Sequence, residues 1–217
     1  MDETRPSTAR AAILEAATDL IRVHGVAGTS ISDVITRSGT SAGAIYHHFG
    51  SKEQLVLEVG RNAMARPMMM VMQTSSGLSP THLLDAALTQ VGRDVHTPEL
   101  LLQIWAGAKS DLSLSRILRN EASGVRAGIR AYLAAWCAEN APSTDPDSIV
   151  DIITGLVMGY AVQRALALNS DPEAYRALAS GLLDAAIKAA DKVPTPAGTA
   201  GSSASDERQS PVQVARQ

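Results

Sequence analysis

Apolar residues recur at spacings of three and four along almost the whole chain, and strand-like alternation never persists for more than a few residues. This periodicity gathers apolar side chains on one face of a helix. The first such stripe lies within residues 9–21, and Gly25 follows it as a helix-ending residue. A chain of 217 residues is long enough to bury a substantial core. The sequence therefore predicts an all-α protein.

Three short predicted helices near the N-terminus are joined by tight turns. They run over about Thr8–His24, Ile31–Ser38 and Ala42–His48. Gly39 leads the second turn, where the chain swings between two helices and positive φ is often needed. This arrangement meets the description of a helix-turn-helix motif, which places its second helix in the major groove of DNA.

The segment 41–55 reads Ser-Ala-Gly-Ala-Ile-Tyr-His-His-Phe-Gly-Ser-Lys-Glu-Gln-Leu. It resembles the signature of the TetR family of repressors, which combines a Gly turn, a small–Gly–small step, Tyr-x-His-Phe and Ser-Lys-Glu-x-Leu. The likeness extends back through the first helix and covers residues 9–58. Two residues depart from the pattern, Ile35 where the family usually has Ala and Thr40 where it has an apolar residue. The resemblance implies an N-terminal helix-turn-helix domain and a C-terminal helical bundle for effector binding and dimerisation.

Small residues at the start of the third helix suit DNA contact. A slim helix end fits a major groove of about 12 Å, and its free amides favour phosphate oxygens. Tyr46, the two following histidines, Lys52 and several hydroxyls add donors to phosphates or bases. The predicted DNA-binding residues are Ser30, Ser32, Thr40, Ser41, Ala42, Gly43, Ala44, Tyr46, His47, His48 and Lys52. Arg5 and Arg10 could also reach along a groove.

Each of these residues also has a purely structural interpretation. Tyr46 could belong to the core, as we expect for Phe49, and His48 could pack against the first helix. Ser41 could be only an N-cap, and Lys52 only a solvated side chain. Residues 1–66 hold seven Lys/Arg and seven Asp/Glu, and the whole chain has a net charge of −3. DNA binding must therefore depend on the placement of a few charges.

The fourth predicted helix begins at Lys52 and meets Pro67 in its interior. An interior proline kinks or ends a helix, so we expect a kink near Met64 or a new helix with Pro67 in its first turn. Further helices are predicted over about 81–95, 98–110, 114–140, 147–168 and 172–192. The predicted domains are 1–50, the N-terminal arm and helix-turn-helix; 51–192, the helical effector and dimerisation domain; and 193–217, a Pro/Ala/Gly/Ser/Thr tail expected to be disordered.

The resemblance implies an effector pocket among the middle helices. Methionine is adaptable and suits a pocket for a small apolar molecule. The candidate ligand-binding residues are Met68, Met72, Leu84, Leu88, Leu101, Trp105, Ile129, Leu133 and Met158. Apolar residues at helical spacing are more often ordinary core, and that alternative applies to each of them. Four acidic and histidine residues, His82, Asp85, Asp94 and His96, fit no familiar metal-ligand spacing, so no metal or cofactor is predicted.

The resemblance also implies that the last two helices pair with those of a second subunit. The candidate dimer-interface residues are Ile149, Ile153, Gly155, Tyr160, Leu178 and Leu182. A monomeric bundle that buries the same side chains internally is the alternative. The single cysteine, Cys137, lies in an apolar helical run and is expected to be buried.

The predicted function is that of a cytoplasmic, homodimeric transcriptional repressor that leaves a pseudo-palindromic double-stranded DNA operator when a small apolar effector binds. The polar N-terminus differs from a secretory signal, and the most apolar stretch, 152–162, is too short to span a membrane. The alternatives are activation instead of repression and a DNA-binding or interaction protein without an effector. An enzyme is not expected, because no nucleophile–base pair, phosphate loop or metal cluster is visible in the sequence.

Overall fold

The computed structural model describes residues 5–74, 78–168 and 171–191, and within these ranges all regular secondary structure is helical. The helices are α1 (Arg5–His24), α2 (Ile31–Ser38), α3 (Ala42–Phe49), α4 (Lys52–Gly60), α5 (Arg66–Thr74), α6 (Pro80–Gly92), α7 (His96–Ser110), α8 (Leu112–Asn140), α9 (Pro146–Ala165) and α10 (Pro172–Asp191). The predicted all-α class is confirmed. The tail 193–217 lies outside the described residues.

The turns between the N-terminal helices are closed by serine caps. Each serine accepts a hydrogen bond from the N–H three residues on: Ser30 from Asp33 at 3.1 Å, Ser41 from Ala44 at 3.2 Å and Ser51 from Gln54 at 3.2 Å. One such cap stabilises a helix by about 1 kcal/mol. Gly39 has φ +66°, a left-handed conformation, which confirms the prediction that the turn before α3 needs a positive φ.

Pro67 shapes the connection between α4 and α5. A π-helical turn, Arg61–Ala65, follows α4, and Pro67 is the second residue of α5. The second of the two alternatives for this proline is therefore met, because a new α-helix begins with Pro67 in its first turn, directly after the π-helical turn that contains Met64. In an unbroken α-helix the carbonyl of Ala63 would pair with the N–H of residue 67, which proline lacks. Instead, Gln90 of α6 donates to that carbonyl at 3.4 Å.

The N-terminal helices share one apolar core with the middle of the chain. Its buried side chains come from α1 to α4 and from α7 and α8, and include Ile13, Ala17, Ile21, Val34, Ile45, Leu55, Val59, Leu100, Ile104 and Leu114. The fit is tight at α7, where a Cβ added to Gly107 would lie 2.7 Å from the Cβ of Val26. Helix α7 therefore supports the helix-turn-helix directly.

A second apolar core lies among α6, α8, α9 and α10. Its fully buried side chains include Leu83, Leu84, Leu88, Leu133, Ile149, Tyr160 and Leu183. The ring of Tyr160 stacks on that of Tyr175, with centroids 4.8 Å apart. Cys137 belongs to this core, as predicted, and burial raises the pKa of its thiol. No helix in the described ranges combines the length and the apolar character that a membrane crossing requires.

Candidate nucleic-acid interface

Helix α3 has one face in the core and one face in solvent. Ile45 and Phe49, four residues apart, are buried, whereas Gly43, Tyr46 and His47 are exposed on the other side. The side chain of Tyr46 is 53% exposed, so it lies outside the core. Phe49 is a core residue, as expected. The exposed face of α3 thus presents one phenol and one imidazole next to a glycine.

The N-terminus of α3 is nearly free of side-chain bulk. Ala42 and Gly43 are exposed, and a Cβ added to Gly43 would meet only the hydroxyl of Ser41, at 3.8 Å, among the described neighbours. The Ser41 hydroxyl oxygen accepts from the amide of Ala44. The first amides of a helix have no intrahelical partner and attract anions. Phosphate oxygens can therefore approach the backbone of α3 closely.

The other predicted DNA-binding residues differ in whether their hydroxyl groups are already engaged in hydrogen bonds within the protein. Ser32 is exposed, but Ser30 contacts the Asp33 carboxylate at 2.6 Å and Thr40 pairs with the Ser38 hydroxyl at 2.7 Å. Ser30 thereby lowers the pKa of Asp33, which stays ionised. The serine and threonine hydroxyls beside α3 are thus partly engaged in local structure.

Three further members of the predicted set are half-buried at the edge of this surface: Ala44, His48 and Lys52. The His48 ring lies edge-on to Phe49, with centroids 6.3 Å apart. Lys52 opens α4. The surface is therefore centred on Ser41–Gly43, Tyr46 and His47 of α3, with His48 and Lys52 at its edge, and Ser32 is exposed on α2.

Arg10 does not extend from a free arm. It lies within α1, its guanidinium is paired with Glu58 of α4, and it sits 5.3 Å from the centroid of the Phe49 ring. Glu58 also pairs with Arg66 and lies 3.7 Å from Arg61. Burial raises the pKa of Glu58, but the hydrogen bonds and charges of Arg66 and Arg10 outweigh it, and the net pKa lies below the usual value. The sequence alone does not reveal that Arg10 joins this cluster, because Arg10 and Glu58 are 48 residues apart in the chain.

A cleft of about 550 Å³ lies between α5 and α8, open to solvent on one side. Its lining residues are Ala65, Met68, Met69, Met72, Gln73, Glu121, Gly124, Val125, Gly128, Ile129 and Tyr132. Met68, Met72 and Ile129 belong to the predicted ligand-binding set. The other α8 residues were missed, although their spacing of three and four places them on one helix face.

The remaining predicted ligand-binding residues do not line this cleft. Leu84, Leu88, Leu101 and Leu133 are buried in the second core, Trp105 packs against it, and Met158 is 44% exposed. For the four leucines and Trp105 the helical spacing reflects core packing, the alternative considered for each of them, whereas Met158 belongs neither to the core nor to the cleft.

The predicted dimer residues fall into two groups. Ile149, Ile153 and Tyr160 are buried within the chain's own second core and are therefore not available to a second subunit. Gly155, Leu178 and Leu182 are exposed, and the two leucines are 69% and 67% exposed. Together with exposed Ile152 and Met158, they give α9 and α10 exposed apolar positions, and we call these five residues the α9–α10 strip.

The sequence profile of the bacterial regulatory proteins of the tetR family matches residues 13–59, from α1 through α4. This match assigns the N-terminal helices to the DNA-binding segment of that family and covers less than half of the chain. Over 64 residues it is 47% identical to an HTH-type transcriptional repressor of Mycobacterium tuberculosis, and over 62 residues it is 40% identical to the HTH-type transcriptional repressor AcnR of Corynebacterium glutamicum. These alignments cover 24% and 29% of this chain, and 34% and 33% of the relatives' own lengths.

Solved structures of similar fold extend over most of the chain. GusR of Salmonella enterica matches 87% of this chain and 100% of its own, with a TM-score of 0.67 and 21% identity. A structure assigned to the TetR family from Rhodococcus sp. matches 83% of this chain and 99% of its own, with a TM-score of 0.70 and 23% identity. The TetR-like fold therefore extends beyond the N-terminal sequence match into the C-terminal helices.

Proposed function

We propose that this protein is a DNA-binding transcriptional regulator of the TetR family, acting as a repressor. The observation that supports this most directly is the exposed, unencumbered N-terminus of α3 with Tyr46 and His47 beside it. The relatives that share this segment bear the name of transcriptional repressors. Since its target is chromosomal DNA, the proposed place of action is the cytoplasm.

In this proposal α3 enters the major groove. The amides at Ala42 and Gly43 approach a phosphate, and the Tyr46 hydroxyl donates to another. His47 donates to a phosphate or to a base edge, and Lys52 supplies a point charge to the backbone. These contacts fix register more than sequence, because the small residues of α3 present few side chains to the bases.

The α9–α10 strip supports a homodimer as the working form. Exposed apolar patches are typical of interaction surfaces. In a symmetric dimer the two copies of α3 enter successive major grooves about 34–36 Å apart. The expected operator is therefore a pseudo-palindrome.

The cleft between α5 and α8 supports control by a small, mainly apolar effector. Its volume of about 550 Å³ lies within the roughly 300–1,000 Å³ typical of ligand pockets. This opening favours an effector-controlled regulator over one without an effector. No catalytic activity is proposed.

Selection from a random duplex library tests the proposal, using the full chain and several rounds of enrichment. We expect the bound pool to converge on an inverted repeat whose half-sites are about 10–11 base pairs apart, centre to centre. A parallel selection with a Tyr46→Ala, His47→Ala variant should enrich nothing above the starting pool. Failure of the wild-type chain to enrich any sequence would contradict the proposed function.

A further inference from the structure

The cleft has a lining of uneven chemistry. Methionines and aliphatic residues cover most of it, and among the residues that line it Glu121 alone is charged. Its two carboxylate oxygens accept from Nε and the terminal nitrogen of Arg61, at 2.7 and 2.6 Å. An apolar cavity with one carboxylate at its wall favours a ligand that combines apolar surface with positive charge.

Both sides of the cleft are connected through arginine side chains to one buried carboxylate, that of Glu58. On the α8 side, Glu121 holds Arg61, which also lies 3.7 Å from Glu58. On the α5 side, Arg66 begins the helix that supplies the cleft's methionines and pairs with Glu58 directly. The Glu58 side chain is only 9% exposed. Glu58 is thus the carboxylate that the arginines beside both helices share.

From Glu58 the contacts continue to the recognition helix. Arg10 of α1 pairs with Glu58 and lies over the ring of Phe49, the last residue of α3. Breaking a buried ion pair by removing one partner is costly, because the other charge remains desolvated. An arginine that loses one carboxylate partner is therefore expected to pair with another, and the shared Glu58 is the contact through which such an exchange would reach α3.

Resting on the proposed function, we propose that the effector is an apolar cation whose positive charge binds Glu121 in competition with Arg61, and that the Glu121–Arg61–Glu58–Arg10 chain transmits this binding to Phe49 and α3. When the cation occupies Glu121, Arg61 moves toward Glu58. Arg10 then pairs less tightly with Glu58, and its position over the end of α3 changes. The coupling is an exchange of ion-pair partners and involves no covalent step.

Two ions of nearly the same shape and opposite charge test the ligand class: tetraphenylphosphonium and tetraphenylborate. Titration calorimetry of the full chain without DNA should show the cation binding at least about tenfold more tightly than the anion, because the Glu121 carboxylate attracts the cation and repels the anion. Glu121→Gln should abolish that preference. Glu139→Gln, at an exposed position on the same helix, should keep it. Equal affinity for the two ions, or an unchanged preference in Glu121→Gln, would overturn the proposal.

The transmission is tested on the selected duplex by fluorescence anisotropy. Saturating tetraphenylphosphonium should weaken DNA binding by the wild type about 5–150-fold, the usual range of allosteric coupling. Glu58→Gln and, independently, Arg10→Gln should bind the cation yet lose most of this effect, with folding of each variant verified by circular dichroism. Persistence of the full effect in both variants would overturn the ion-pair path. A chain that binds no DNA at all would instead contradict the proposed function. The calorimetric result would still hold, because it is measured without DNA.

Discussion

The α9–α10 strip gives the most quantitative prediction for the assembly. Leu178 and Leu182 are 69% and 67% exposed in the single chain. Full burial of a leucine contributes about 1.5–3 kcal/mol, so each has about 1–2 kcal/mol still to gain. A symmetric dimer buries four such side chains. The double substitution Leu178→Gln, Leu182→Gln should therefore cost about 4–8 kcal/mol of dimer stability, which raises the dissociation constant at least about a thousandfold.

Sedimentation equilibrium over a range of protein concentrations measures this directly. We expect a wild-type dimer and a double variant that is monomeric at the same micromolar concentrations. The monomer should keep its helical content, because neither side chain belongs to the protomer core. Leu112→Gln is the matched control, since Leu112 is 87% exposed but begins α8, away from the strip. A double variant that remains a dimer with unchanged affinity would refute the assignment of this surface.

Three further predictions concern stability. Because the pKa of Glu58 lies below its ordinary value of 4.5, the free energy of unfolding should decrease as the pH falls below about 4.5. Urea denaturation at pH 7 and pH 4 should show a smaller decrease for Glu58→Gln than for the wild type. An equal decrease in the two proteins would contradict the ion-pair account. Gly107→Ala should lower the free energy of unfolding by about 1–3 kcal/mol relative to Gly128→Ala, since only the former places a Cβ against Val26; equal stability in urea denaturation would argue against that tight packing. The Tyr160 hydroxyl is buried without a hydrogen-bond partner among the described residues. Tyr160→Phe should therefore raise the free energy of unfolding, measured by thermal denaturation, by about 1 kcal/mol. A clear decrease would show that the hydroxyl has a partner.

Local signals in the sequence predicted most of the fold. Serine caps and Gly39 mark helix ends through bonds that span only three or four residues, so they can be read without knowing the tertiary structure. The observed start of α3 at Ala42 agrees with the prediction. Pro67 likewise indicated an interruption, although the sequence predicts neither the π-helical form of the preceding turn nor the hydrogen bond that Gln90 of a distant helix donates to Ala63.

The candidate sites were predictable only in part, because exposure depends on packing between distant segments. The α9 helix is apolar around much of its circumference, so its sequence alone does not distinguish Ile153, which faces the core, from Ile152, which faces solvent. The same holds for Leu133, a core residue, and Ile129, a cleft residue on the same helix. Glu58 and Glu121 gain their roles from arginines contributed by other elements, which periodicity cannot reveal.

The proposed binding of DNA by α3 is tested most directly by an anisotropy titration of the full chain on the intergenic DNA upstream of its own gene, across a salt series. We expect tight binding that weakens steeply with salt, and a collapse of affinity in the Tyr46→Ala, Lys52→Ala variant. The slope of log affinity against log salt should also become shallower by about one in this variant, because Lys52 no longer neutralises a phosphate. Lys109→Ala, at an exposed lysine of α7, should leave both slope and affinity unchanged. Binding to this DNA that survives the Tyr46 and Lys52 substitutions with its affinity and salt slope intact would contradict the account.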